Sequence, residues 1–90
     1  MITLNVLRAS RLFMCNPAKW RYGLDVARQL DLPVTTTYNM LWTLERQKWM
    51  QSIQEPNRID GEPGRRLYCL TTFGLQSARA ALSSLEIFTS

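Results

Sequence analysis

Histidine is missing altogether from this 90-residue chain. That absence removes the commonest general base and the ordinary catalytic triads. With no histidine and two cysteines, the usual zinc-ligand spacings are missing too. Two cysteines also make no disulfide framework. Cys15 and Cys69 each lie within an apolar stretch and read as reduced core residues of a cytoplasmic protein. No apolar run approaches the roughly 20 residues needed to cross a bilayer. At the start, "MITLNVLRASRLFMC", Arg8 and Arg11 interrupt the apolar pattern, which argues against a cleaved secretory signal. The carboxylates are scattered singly and no phosphate-binding glycine loop is present. The expectation is a protein that is no enzyme and carries neither metal nor cofactor.

What is there is an ordinary globular composition, 46% hydrophobic, which argues against disorder. The length suits one domain over residues 1–90. Eleven Lys and Arg face seven Asp and Glu, a net charge of +4. That balance suits a polyanionic partner without establishing one, so the placement of the charges matters more than their sum.

Apolar periodicity predicts helices over about 3–14, 23–30, 34–47 and 72–85. The first carries Leu4, Leu7, Leu12 and Phe13 on one stripe and ends at Asn16-Pro17, because the residue before proline is pushed out of the α region. "KWRYG" alternates charge with aromatics and reads as a brief strand or extended link. In the second helix Leu24, Ala27 and Leu30 share a side. Asp31-Leu32-Pro33 then turns tightly, with Pro33 able to open the third helix. There Val34, Thr37, Leu41 and Leu44 line one face. Thr35, Thr36, Asn39, Thr43 and Arg46 fall mainly on the other, a polar face with little charge. The runs "WMQSIQ" and "RRLYCLT" make a hairpin over about 49–71, with Trp49 and Ile53 on its apolar side and Pro56, Gly61, Pro63 and Gly64 marking its turn. A hydroxyl at Thr71 or Thr72 caps the last helix. Two helices joined by a short turn and followed by a hairpin make a mainly α fold with a small β-hairpin (α+β), the plan of a winged helix-turn-helix.

Three stretches resemble the PadR family of bacterial winged-helix transcription regulators. "RYGLDVARQLDLP" is similar to that family's helix opened by a Gly beside an aromatic or His. "TTYNMLWTLE" is similar to its recognition-helix pattern at Thr36, Tyr38, Leu41, Leu44 and Glu45. "GEPGRRLYCLTTFG" is similar to its wing, through Gly61, Pro63, Arg65, Arg66, Tyr68, Leu70, Thr71 and Gly74. The chain departs from the pattern at Asn39, Thr43 and Lys48, where the family usually has Pro, Arg and Gly. Lys48 must therefore close its helix without glycine.

The resemblance implies a sequence-specific regulator, a repressor acting as a homodimer on an inverted-repeat operator in double-stranded DNA. In that role Thr35 and Thr36 offer short donors to phosphates at a helix start, Tyr38 donates to a phosphate, and Asn39 pairs with adenine. Thr43 and Arg46 extend the same side. Arg58, Arg65 and Arg66 on the hairpin neutralise phosphates, although Glu55, Asp60 and Glu62 offset much of that charge. Each threonine alone reads as a helix-start or core residue; the face as a set, beside a basic hairpin, points to DNA. Leu4, Leu7, Leu82, Leu85 and Phe88 are the expected dimer surfaces. A competing reading is a winged-helix module that binds protein without DNA. Trp20, Trp42 and Trp49 raise a further one, since some PadR-like proteins ring a dimer-interface ligand pocket with aromatics. Trp49 fits the core better, and Trp42, hard to bury together with Leu41 and Leu44, either packs under the wing or meets DNA.

Overall fold

A computed structural model describes residues 3–61 and 64–89, with side chains placed through residue 84. Leu85, Ile87 and Phe88 as side chains, and Glu62 and Pro63, lie outside the described residues. The element order is α1 (Leu4–Met14), β1 (Arg21–Tyr22), α2 (Gly23–Leu30), α3 (Val34–Arg46), β2 (Met50–Gln54), β3 (Arg66–Leu70) and α4 (Thr72–Thr89). The last helix runs four residues past the end expected at 85, because nothing after Gly74 in "LQSARAALSSLEIFT" breaks a helix.

Thr3 caps α1, its hydroxyl accepting from the Val6 amide at 3.2 Å. The buried residues of α1 are Ala9, Ser10 and Phe13, with Val6 packed beside them. The stripe expected through Leu4 is displaced, and Leu4 is 72% exposed. Small residues decided this, since Ala9 and Ser10 let α1 sit close to its neighbours. Cys15, expected in the core, is exposed at the helix end, whereas Cys69 is buried with its thiol donating to the Pro17 carbonyl. Burial pushes the Cys69 thiol up from its ordinary value. In α2 the inner face is Gly23, Val26, Ala27 and Leu30, and Leu24 is partly exposed.

Both helix-turn-helix elements end in left-handed residues that are not glycine. Asp31 (φ 55°) follows α2, with Asp31 and Leu32 amides donating to the Arg28 and Ala27 carbonyls. Lys48 (φ 68°) follows α3, with Lys48 donating to Glu45 and Trp49 to Leu44. Each pair is a Schellman closure, which satisfies the last carbonyls of a helix and turns the chain sharply.

The sheet is antiparallel in the order β1-β3-β2. Tyr22 pairs with Leu67 on one side of β3, and Ser52 pairs with Tyr68 on the other. Met50, not Ile53, takes the inward strand position: Met50 is buried and Ile53 about half exposed. Trp49 is buried just ahead of the strand. One core holds Phe13, Val26, Leu30, Leu41, Leu44, Trp49, Met50, Tyr68 and Leu70. Thr71 stitches the hairpin base to α4. Its amide and hydroxyl both donate to the Trp49 carbonyl, and its hydroxyl accepts from the Gly74 amide at 2.9 Å. A Cβ on Gly74 would collide with that same carbonyl, so only glycine fits there.

Candidate nucleic-acid interface

The third helix opens on four β-branched residues, Val34 and three threonines, each a mediocre helix former by ~0.5 kcal/mol relative to alanine. The structure divides them. Thr37 is fully buried, and its hydroxyl and amide both donate to the Pro33 carbonyl at 3.0 Å. Pro33 thus stands at the cap position, and the buried hydroxyl is satisfied locally. Thr35 and Thr36 are exposed. Val34, expected inward, is 47% exposed at the edge of a shallow pocket that it shares with Leu24, Arg28 and Leu32.

At about 100° per residue, Trp42, Thr35, Arg46, Asn39, Thr43 and Thr36 fall within roughly 120° of the helix circumference. All six are exposed. Thr43 donates to the Asn39 backbone carbonyl at 2.9 Å, which pins its rotamer while its oxygen still accepts. On one flank Thr36, Asn39 and Thr43 border a shallow notch against Thr3 and Asn5 at the start of α1. On the other, the Arg46 guanidinium lies 4.7 Å from the centre of the Trp42 ring.

Tyr38 does not join this face. Its ring lies over Gly23, where a Cβ would come within 2.6 Å of Cε1, and meets Tyr68 edge-on at 6.4 Å. The expected phosphate donor is therefore a half-buried packing residue between α2, α3 and the sheet. A glycine opens α2 because an aromatic ring occupies the space of its side chain.

The hairpin arginines are each engaged. Arg58 pairs with Asp60 at 3.3 Å, with both side chains more than half exposed. Arg65 lies 5.2 Å from the Tyr22 ring centre, and its amide donates to Glu55. Tyr22 in turn donates to the Glu55 carboxylate at 3.3 Å. Arg66 donates to the Ser52 hydroxyl at 2.8 Å, and Ser52 donates to the Glu45 carboxylate at 2.6 Å. Arg65 and Arg66 are neighbours in sequence but serve opposite faces of the hairpin, as strand alternation requires. Only Arg66 connects to α3. Burial pushes the Tyr68 phenol up from its ordinary value, with Arg66 acting against that shift and Glu45 and Tyr38 reinforcing it.

Sequence reasoning left Ser52 out of the site and left Trp42 open, between packing under the wing and meeting DNA. Ser52 joins the hairpin to the end of α3, a contact that no local pattern announces. Trp42 had a local signal, since Trp42 and Arg46 are four apart on one helix face.

Among the expected dimer residues, Leu4 is exposed while Leu7 and Leu82 are partly buried. Leu82 lines a groove between α1 and α4 with Arg11, Met14, Cys15 and Arg79. The tryptophans do not gather: Trp49 is core, Trp42 is 58% exposed, and no tryptophan lines that groove. No helix is long and apolar enough to cross a membrane among the described residues, and no three His, Cys, Asp or Glu side chains there are placed to hold a metal ion.

No family model and no curated protein matches the chain. Solved structures do. The chain is similar to the Staphylococcus aureus MepR–DNA complex, with a TM-score of 0.78 and 21% identity over 99% of this chain and 68% of that one. It is similar to MepR described as a transcription regulator of the S. aureus multidrug efflux pump MepA, with a TM-score of 0.80 and 23% identity over 98% of this chain and 61% of that one. A transcriptional regulator homologue from Pyrococcus horikoshii OT3 gives a TM-score of 0.79 and 19% identity, over 92% and 77%. At these identities the likeness establishes the fold, a winged helix.

Proposed function

We propose that this chain is a double-stranded-DNA-binding transcriptional regulator, with α3 entering the major groove and the hairpin flanking it. The observation that carries the reading is the outer face of α3. Five polar side chains and one tryptophan stand exposed on a fold similar to that of MepR in its DNA complex. The free amides and positive dipole end at Val34–Thr36 suit a phosphate, Asn39 at mid-face suits adenine, and threonine methyls suit thymine. The reading includes a homodimer on an inverted repeat, a repressor's role, no catalysis and a cytoplasmic location. Leu4, Leu7 and the α4 residues Leu82, Leu85 and Phe88 supply the dimer surface.

Within the winged helices, we infer that the PadR-like stretches mark the fold rather than the subfamily. Each has a structural duty in this fold. Gly23 makes room for Tyr38, Thr71 caps α4, and Gly74 admits the Trp49 carbonyl.

Selection of bound sites from a random duplex pool tests the function. Enrichment of a palindrome, with affinity falling steeply as salt rises, is the expected result. No enrichment and a flat salt response favour the protein-binding module, a reading helped by the binding of Arg58 and Arg66 to Asp60 and Ser52 within the hairpin.

A further inference from the structure

Trp42 is an anomaly on α3. It exposes 58% of its surface on the helix's polar face, although the core beside it has Leu41 and Leu44 fully buried or nearly so. Burial does not explain a tryptophan there. Its ring carries the Arg46 guanidinium, whose central carbon stands 4.7 Å from the ring centre. Side chains on a helix lean toward its N-terminus, and the pair is spaced four residues apart. The stack therefore draws the guanidinium back by one turn, toward Asn39 and the middle of the exposed face. It also holds a planar fork of donors against a flat surface, which removes rotamer freedom before any partner arrives. Arg46 makes no ion pair among the described residues, so its donors remain available.

We propose that Trp42 is a positioning residue that presents Arg46, as a rigid two-pronged donor, to the O6 and N7 acceptors of a guanine in the major groove. The proposal rests on the DNA-binding reading above and adds to it a base, a position and a supporting residue. A loose arginine at the end of a helix finds a phosphate as readily as a base. A stacked one is committed to a single direction, and the two parallel donors match guanine better than any other base edge. Lysine at this position keeps the charge but loses both the fork and the stack.

The test compares sites selected from a random duplex pool by the parent chain and by Trp42→Ala, Trp42→Phe, Arg46→Ala and Arg46→Lys, with melting temperatures taken alongside. Trp42 and Arg46 are both exposed, so all four variants fold with near-unchanged melting. The expected result is a guanine at one position of each half-site for the parent chain. Arg46→Ala, Arg46→Lys and Trp42→Ala each lose that preference by roughly tenfold while the other positions keep theirs, and Trp42→Phe retains it. The proposal is overturned if Arg46→Ala weakens all sites equally, which makes Arg46 a phosphate contact. It is overturned equally if Trp42→Ala leaves the guanine preference intact. Failure of the parent chain to enrich any sequence overturns the DNA reading itself, a result distinct from both.

Discussion

The outer face of α3 and the hairpin carry the same kind of expectation, contact with DNA, and they meet it differently. On α3 the polar side chains stand exposed, and Thr43 makes its hydrogen bond within its own helix. On the hairpin Arg58 and Arg66 already have their N–H groups bound, by Asp60 and Ser52, while Arg65 lies over the Tyr22 ring with its donors available. Charge counted along the sequence is therefore a poor guide to charge available for a ligand. An arginine whose N–H groups are already bound must give up or share that contact before it helps a phosphate. An uncharged face of Thr and Asn gives up nothing but water. We expect sequence choice to reside on α3, and the hairpin to contribute a smaller, sequence-independent share.

Asn39→Ala is the sharpest way to break that comparison. Titration against the selected site should show about a 5- to 150-fold loss of affinity, confined to sites with the preferred base at one position, and no change in melting. Arg65→Ala with Arg66→Ala should weaken binding more evenly across sequences. The slope of log affinity against log salt should fall by about 0.9 for each phosphate that the hairpin no longer neutralises. If that double variant instead changes sequence preference, the division between helix and hairpin fails.

The junction between the two regions offers a stability test. Lys48 holds a left-handed backbone, which costs about 1–2 kcal/mol for a residue with a Cβ. Lys48→Gly should recover about 1 kcal/mol and raise the melting temperature by roughly 4–8 °C. Tyr68, beneath both regions, supplies part of the pH dependence, alongside the raised thiol of Cys69. Its phenol is raised above the ordinary value of 10.0 in the folded state, so the unfolded chain releases that proton first. The stability it contributes is complete below about pH 10 and is lost as pH rises through the folded value. Urea denaturation between about pH 9 and 11 should show this decline, and Tyr68→Phe should reduce it, leaving the part contributed by Cys69. The smallest effect belongs to Arg58→Ala. An exposed ion pair with Asp60 leaves both stability and affinity within about 0.5 kcal/mol of the parent.

Much of the fold was legible because its signals are local. Helix periods, the Asn16-Pro17 stop, the hairpin turn and the Thr71 cap all depend on residues a few positions apart. The misplacements have a common cause. In α1 the stripe drawn through leucines missed Ala9 and Ser10, because close packing of small residues carries no hydropathy signal. Cys15 and Val34 lie at helix ends, where the phase of a stripe no longer says whether a neighbour is present to cover the residue. Tyr38 sat at the flank of the apolar face, and whether it turned outward depended on a missing side chain at Gly23, 15 positions earlier.

The sequence by itself determined the order and kind of the elements and the split among the three threonines, with Thr37 inward and Thr35 and Thr36 outward. Those follow from residue chemistry and a fixed helical period. Only the tertiary structure decided which polar groups remain free. Ser52 claims Arg66 and Glu45, Asp60 claims Arg58, the Tyr22 ring lies against Arg65, and Gly23 admits Tyr38. Availability depends on what lies across the fold from each side chain, and most of those neighbours are far away in the chain.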